Sequence, residues 1–219
     1  MTEIHFNRLT FPSFAFYRWT ANTLDRPCPE DGIPGRIAVD LEPEVGLALR
    51  ELLGDACPRS FHVEAEDAIS AYGWGSDLEN LEPTLSARIP GAAIVSRRLS
   101  PAHLEGHLRF RLRCSPTLRR GRREIDAWIA QRESGSSRND AYRSWLAPRL
   151  AGAEIDALRI VRAGPVAIRL PGRAIFAKPS AILEGELVVT DPASLMTVLE
   201  RGIGRHGRLG FGALILGRA

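Results

Sequence analysis

Residues 202–212 gather the side chains of this sequence best suited to chemistry on an anion. Arg205, His206 and Arg208 lie among Gly202, Gly204, Gly207, Gly210 and Gly212. Glycines let a backbone come close to a partner and turn its N–H groups outward. Arginine supplies a planar, permanently charged fork, and histidine can exchange a proton near neutral pH. The chemistry indicated is grip on a phosphate, with His206 able to move a proton. The spacing Gly202-x-Gly204-x-x-Gly207 imitates a dinucleotide fingerprint, which needs a helix directly after it and then a parallel strand. The residues after Gly207 read as a strand through Ala213-Leu214-Ile215-Leu216, so that reading fails. No Gly-Lys-Ser/Thr follows, so a P-loop fails as well.

A second basic feature precedes it. From 109 to 123 the chain carries Arg109, Arg111, Arg113, Arg119, Arg120, Arg122 and Arg123 and no acid. The first three alternate with Leu108, Phe110 and Leu112, the pattern of a half-exposed strand with an arginine face. The last four surround Gly121. This set reads either as a solvated surface with a basic loop or as a stripe that tracks phosphates. A stripe and a basic glycine loop on one predicted domain favour the second.

These residues need elements to position them. Alternation predicts a first strand over 4–11, and the proline- and glycine-rich segment 22–36 predicts loop. Residues 43–53 form an amphipathic helix with Pro43 near its start and Gly54 after its end. Strands are expected over 61–64 and 68–72. A helix is expected over 77–85, with Ser76 as N-cap and Glu79 completing a capping box. This order approximates a ferredoxin-like unit. A second set follows residues 90–101: a strand at 107–113, helices at 124–132 and 141–150, strands at 155–163, 166–170 and 182–190, a helix at 193–201 and a final strand at 212–216. The expected fold is α+β, with two tandem ferredoxin-like (RRM-like) domains over 1–95 and 102–219 and a C-terminal glycine-rich loop.

Composition constrains the classes. The chain has 219 residues, 44% hydrophobic, and a formal charge of +3, enough to bury a substantial core. Of its 29 basic residues only Lys178 is lysine. Cys28, Cys57 and Cys114 have no Cys-x-x-Cys spacing, and no His/Cys/Asp/Glu cluster has metal-ligand spacing. Neither a metal nor a cofactor is expected. No signal segment or membrane-length apolar run is evident, so a soluble cytoplasmic protein with no membrane partner is expected.

Leu183-Glu184-Gly185-Glu186-Leu187-Val188-Val189-Thr190-Asp191-Pro192, the helix after it and the 202–212 loop resemble the C-terminus of the CRISPR-associated CasE endoribonucleases. Leu108-Arg109-Phe110-Arg111-Leu112-Arg113-Cys114-Ser115-Pro116-Thr117 also resembles that family's arginine-bearing strand, with Ser115 where the family has Asn. The likeness covers about residues 100–219 and weakens towards the N-terminus. It implies binding of a CRISPR repeat hairpin, one metal-independent cut at its 3′ base leaving a 2′,3′-cyclic phosphate, and retention of the crRNA in a Cascade-like complex. Other Cascade-type subunits are the implied protein partners, and target DNA is met only through the complex.

The implied RNA contacts are Arg109, Arg111, Arg113, Arg119, Arg120, Arg122, Arg123, Gly204, Arg205, Gly207 and Arg208. The family places a Tyr-x-x-His pair on its first helix, where this chain aligns Leu47 and Arg50. Arg50 can stabilise a phosphorane but is a poor base. His206 is the preferred substitute, and Tyr17 would need a strongly lowered pKa. The catalytic candidates are therefore His206, Arg50 and Tyr17. Two readings stay open: an endoribonuclease, and a hairpin-binding subunit without catalysis.

Overall fold

The computed structural model describes residues 3–24, 41–121, 123–168 and 175–218. In the first half, β1 (Ile4–Pro12), α1 (Ser13–Leu24), α2 (Glu42–Leu53), β2 (Phe61–Ala65), β3 (Ala68–Gly75), α3 (Glu82–Arg88) and β4 (Ala93–Leu99) follow one another. The strands form an antiparallel sheet in the order β2-β3-β1-β4. In the second half, β5 (His107–Cys114) is followed by a hairpin of β6 (Thr117–Arg120) and β7 (Arg123–Asp126). Then come α4 (Ala127–Gln131), α5 (Arg138–Leu146), β8 (Ala153–Ile168), β9 (Phe176–Val189), α6 (Pro192–Arg201) and β10 (Leu214–Arg218). The second sheet, β10-β5-β9-β8, is again antiparallel. Both orders place the first and third strands at the centre, as two ferredoxin-like units require.

The alternating strand residues supply two cores. Leu9, Phe11, Phe61 and Ile69 pack with Phe16, Val45 and Leu49 from α1 and α2. Phe110, Leu112, Leu183 and Leu187 pack with Tyr142, Trp145, Leu195 and Leu199 from α5 and α6. Ile4 and Trp74 of the first sheet join this second core. Trp74 Nε1 donates to the Leu214 carbonyl at 2.7 Å, tying the two sheets together.

Several local expectations are corrected. Residues 22–24 end α1, a helix that alternation did not reveal, and residues 25–36 of the expected loop lie outside the described residues. Ser76 does not cap a helix over 77–85. Glu79 and Glu82 instead direct their carboxylates to the Ser96 and Ile94 N–H groups of β4. A short 3-10 turn and then α3 replace the single helix. The segment 90–101 contains β4, an edge strand that runs through residue 95. Residues 124–126 belong to β7, and the helix starts only after Asp126, whose carboxylate caps the Trp128 N–H at 2.8 Å. Strands expected at 155–163 and 166–170 are one strand to Ile168, with residues 169–170 outside the described residues. Pro165 interrupts nothing because β8 is an edge strand.

The glycine loop is wedged against the first unit. A Cβ on Gly207 would lie 2.4 Å from the Arg59 carbonyl oxygen, and one on Gly202 would lie 2.5 Å from Ser60 Oγ. The close approach that the glycines permit is therefore made to this chain itself. Gly207→Ala is expected to cost about 1–3 kcal/mol through overpacking. The check is a lower urea midpoint at unchanged m-value.

Candidate nucleic-acid interface

The basic run after β5 folds back as the β6–β7 hairpin, with Gly121 at φ 61° in its turn. Arg119, Arg120 and Arg123 are exposed on it. Arg119 Nε donates to the Gly121 carbonyl at 2.9 Å, and Arg120 Nη2 to the Ala130 carbonyl at 3.0 Å. These bonds hold the guanidinia without neutralising them. Arg122 lies outside the described residues.

The glycine loop closes on the same hairpin. The Ile203 N–H donates to the Gly212 carbonyl at 2.8 Å, and the Gly212 N–H to the Arg113 carbonyl at 2.7 Å. Between these ties, Arg205 Nη1 reaches Glu124 Oε1 at 3.0 Å and His206 Nε2 reaches Glu124 Oε2 at 2.9 Å. Lys178 Nζ of β9 also meets Glu124 Oε2, at 2.6 Å. Among the described residues, His206 is the one non-glycine with positive φ, 67°. Three cationic or protonatable partners hold the Glu124 carboxyl down at about 2, Lys178 contributing most, then His206 and Arg205. Arg119, Arg123, Glu124, Lys178 and Arg205 line one cleft of about 580 Å³.

The other candidates divide. Arg50 Nη1 donates to the Arg208 carbonyl at 3.1 Å, which puts the α2 arginine against the loop two residues from His206. Burial lowers its pKa somewhat, with Arg208 adding to the effect. Gly204 stacks on the loop's own support: a Cβ there would lie 3.1 Å from the Trp145 ring. Tyr17 is 4% exposed within the first core. Burial raises its hydroxyl pKa, with Glu44 adding to it, so it does not meet the requirement of a lowered value.

The expected arginine face of β5 is corrected at Arg113 alone, the other two arginines staying exposed or half-exposed. Arg113 is 3% exposed, ion-paired to Glu42 at 2.8 Å and stacked over Phe211 at 4.5 Å. Arg111 pairs with Glu184, and Arg109 lies 3.7 Å from Glu186. Of the three, Arg113 is enclosed within the chain, while Arg109 keeps an exposed and Arg111 a half-exposed side chain. Sequence reasoning missed Glu124 and Lys178. Glu124 is the first acid after seven arginines, and that placement was the signal available.

Two ferredoxin-like units carrying a hairpin-and-loop basic cleft define the class of protein. A family model described as CRISPR associated protein matches residues 79–218, and the chain belongs to that family. A search of curated proteins finds no matching sequence. Among solved structures, the chain is similar to the CRISPR endoribonuclease Cse3 bound to a 19-nucleotide RNA. That match has 20% identity and a TM-score of 0.68, covering 98% of this chain and 99% of that one. It is similar to Thermus thermophilus Cse3 bound to an RNA representing a pre-cleavage complex, at 18% identity and TM-score 0.69 over 99% and 100%. A chain of a CRISPR RNA-guided surveillance complex, pre-nicking, matches at 21% identity and TM-score 0.62 over 98% and 100%. At these identities the likeness is one of fold. Among the described residues, no helix is long and apolar enough to cross a membrane.

Glu124 makes the loop–hairpin tie pH-dependent with a defined sign. A carboxylate held at about 2 adds stability at pH values above the ordinary carboxylate range, and that increment is lost as pH falls towards 2. The stability difference between the wild type and Glu124→Gln should be largest near pH 7 and shrink steadily between pH 5 and pH 2.5. Urea unfolding across that range checks it.

Proposed function

We propose that this protein is a CRISPR repeat-RNA endoribonuclease that binds a precursor-crRNA hairpin, cuts it and keeps the product within a Cascade-like complex. The carrying observation is the convergence of hairpin arginines Arg119 and Arg123 with loop residue Arg205 on one cleft, beside the His206–Glu124 pair. An A-form stem presents phosphates and a deep, narrow major groove that a basic hairpin follows by shape. In the cleavage step, the 2′-hydroxyl oxygen bonds to the adjacent phosphorus as the bond from phosphorus to the 5′-oxygen breaks. A base takes the 2′-hydroxyl proton, an acid protonates the departing 5′-oxygen, and a 2′,3′-cyclic phosphate remains. Glu124 fixes the His206 ring through Nε2, so proton exchange falls to Nδ1. Arg50, bound to the loop at the Arg208 carbonyl, supplies positive charge for the non-bridging oxygens. The RNA-binding set is Arg119, Arg120, Arg123, Arg205 and Arg208, with Gly204 and Gly207 shaping the loop. The division into two domains is drawn within residues 100–106, since β4 continues to Leu99.

A second reading rests on the family resemblance: it aligns Leu47 and Arg50 with the family's Tyr and His, which favours a crRNA-binding subunit without catalysis.

Purified protein with one cognate repeat RNA in EDTA separates the two. A single cut with a cyclic phosphate end is the expected result, whereas tight binding without cleavage would favour the second reading. His206→Gln should slow cleavage about 10²–10⁴-fold with little change in binding. Arg119→Ala with Arg123→Ala should weaken binding and lower the salt slope by about 1.5. Gel shifts over a salt series read the latter.

A further inference from the structure

Lys178 is the only lysine among 29 basic residues, and it stands at the Glu124 carboxylate. Its Nζ donates to Glu124 Oε2 at 2.6 Å, with the two side chains only 21% and 19% exposed. His206 Nε2 meets that same oxygen at 2.9 Å, while Arg205 Nη1 takes Oε1 at 3.0 Å. An ionised carboxylate only accepts hydrogen bonds, so the imidazole nitrogen facing it has to carry the proton. Lys178 contributes most to keeping Glu124 ionised.

The type of the cation matters here. A guanidinium is a planar fork that grips both oxygens of a carboxylate. At residue 178 such a fork would compete with His206 and Arg205 for Glu124. An ammonium is a compact point charge, and it can share one oxygen with a second donor. Glu184 on the same strand shows the contrast. Arg111 takes its Oε1 and Arg159 its Oε2, so two arginines occupy that carboxylate between them.

We propose that Lys178, as a lysine, is a positioning residue: it holds Glu124 Oε2 from the β9 side and so fixes the His206 ring with Nε2 bonded, leaving Nδ1 for proton exchange. The consequence for cleavage rests on the endoribonuclease reading above, whereas the orientation of the ring does not. Without the ammonium, His206 is the one partner left on Oε2. The carboxylate can then turn towards Arg205 and pair with both arms of its fork. In either case the ring loses a fixed acceptor.

The test uses the full chain with Lys178→Arg, which keeps the charge, and Lys178→Met, which removes it. Nitrogen NMR of protein with isotope-labelled histidine, at about pH 8, reads the tautomer of each neutral ring. The spectrum of His206→Gln identifies the His206 signals. In the wild type His206 should be a single tautomer protonated at Nε2, and in both variants its nitrogen shifts should average between tautomers. Lys178→Arg still gives Glu124 a basic partner, so it should melt close to the wild type, which separates ring release from misfolding. Single-turnover cleavage of one cognate repeat RNA in EDTA should slow at least about tenfold in each variant. The RNA Kd of Lys178→Arg should stay within about twofold of the wild type, since its charge is kept. A single Nε2–H tautomer retained in Lys178→Arg would overturn the proposal, whatever its cleavage rate. Averaged shifts in both variants with wild-type cleavage rates would uphold the positioning role and overturn His206 as the proton carrier. Averaged shifts in both variants of a protein that binds the repeat without cutting it would uphold the positioning role and overturn the endoribonuclease reading.

Discussion

The close approach of the 202–212 backbone to residues of the first unit is the constraint from which the rest of the arrangement follows. Gly207 and Gly202 lie against Arg59 and Ser60, and Gly210 lies where a Cβ would meet Glu42 at 2.5 Å. On the facing side, a Cβ on Gly46 of α2 would sit 2.7 Å from the Arg208 carbonyl. No side chain larger than hydrogen fits at these positions without moving one unit away from the other. With the loop seated, Phe211 comes under the Arg113 guanidinium, and Glu42 neutralises that buried charge from the first unit. Removing one partner of such a pair would cost about 3–5 kcal/mol, so the contact also fixes the relation of α2 to β5. The loop is thus the shared edge of both units, and its tip has one direction in which to project.

Charge pairing then sorts the arginines into those with and those without an acidic partner. The acids of β9 sit opposite the arginines of β5 and β8: Glu184 takes Arg111 and Arg159, and Glu186 faces Arg109. Those pairings keep the sheet face close to neutral. Among the described residues, Arg119, Arg120, Arg123, Arg149 and Arg201 form no ion pair. They lie on the hairpin and around the loop, so this region is positively charged although the net charge is only +3. Glu124 is the exception within this region, and it bonds three basic side chains at once. Its effect is to bring loop, hairpin and β9 together at the centre of the basic surface.

Apart from α1, β4 and the β6–β7 hairpin, sequence patterns announced most strands and helices because those elements bury one face, and burial imposes a period. Leu108, Phe110 and Leu112 are core residues, as their alternation required. Composition could not announce the pairing of charges across strands, because registers such as Arg111 opposite Glu184 depend on which strands become neighbours. For that reason an arginine-rich strand read as an exposed face while Arg113 is buried. The hairpin has no local signature for a similar reason: Arg119 and Arg120 show no apolar alternation, and residues 124–126 carry the pattern of a helix start. The glycine spacing pointed correctly to close backbone approach. It could not say that the approaching surface belonged to the same chain. Lys178, the lone lysine, carried no local pattern at all, and only the antiparallel sheet brings β9 beside the hairpin.

The placement of His206 explains how a histidine outside any regular element can have a fixed geometry. A non-glycine residue at φ 67° carries a conformational cost, and a free loop would relax it. Here the Gly207 N-terminal flank is held by Arg59, the Leu209 N–H returns to the His206 carbonyl at 2.8 Å, and the ring is drawn to Glu124. The backbone cost is met by contacts on three sides, which makes the ring direction a property of the folded whole. An acid–base group needs that kind of positioning more than it needs a helix beneath it. A histidine on the loop, with an arginine of α2 bound to the loop carbonyl two residues on, brings side chains of both units to one loop. Any motion that separates the units would therefore part these two side chains, so their arrangement is tied to the close approach that the glycines allow.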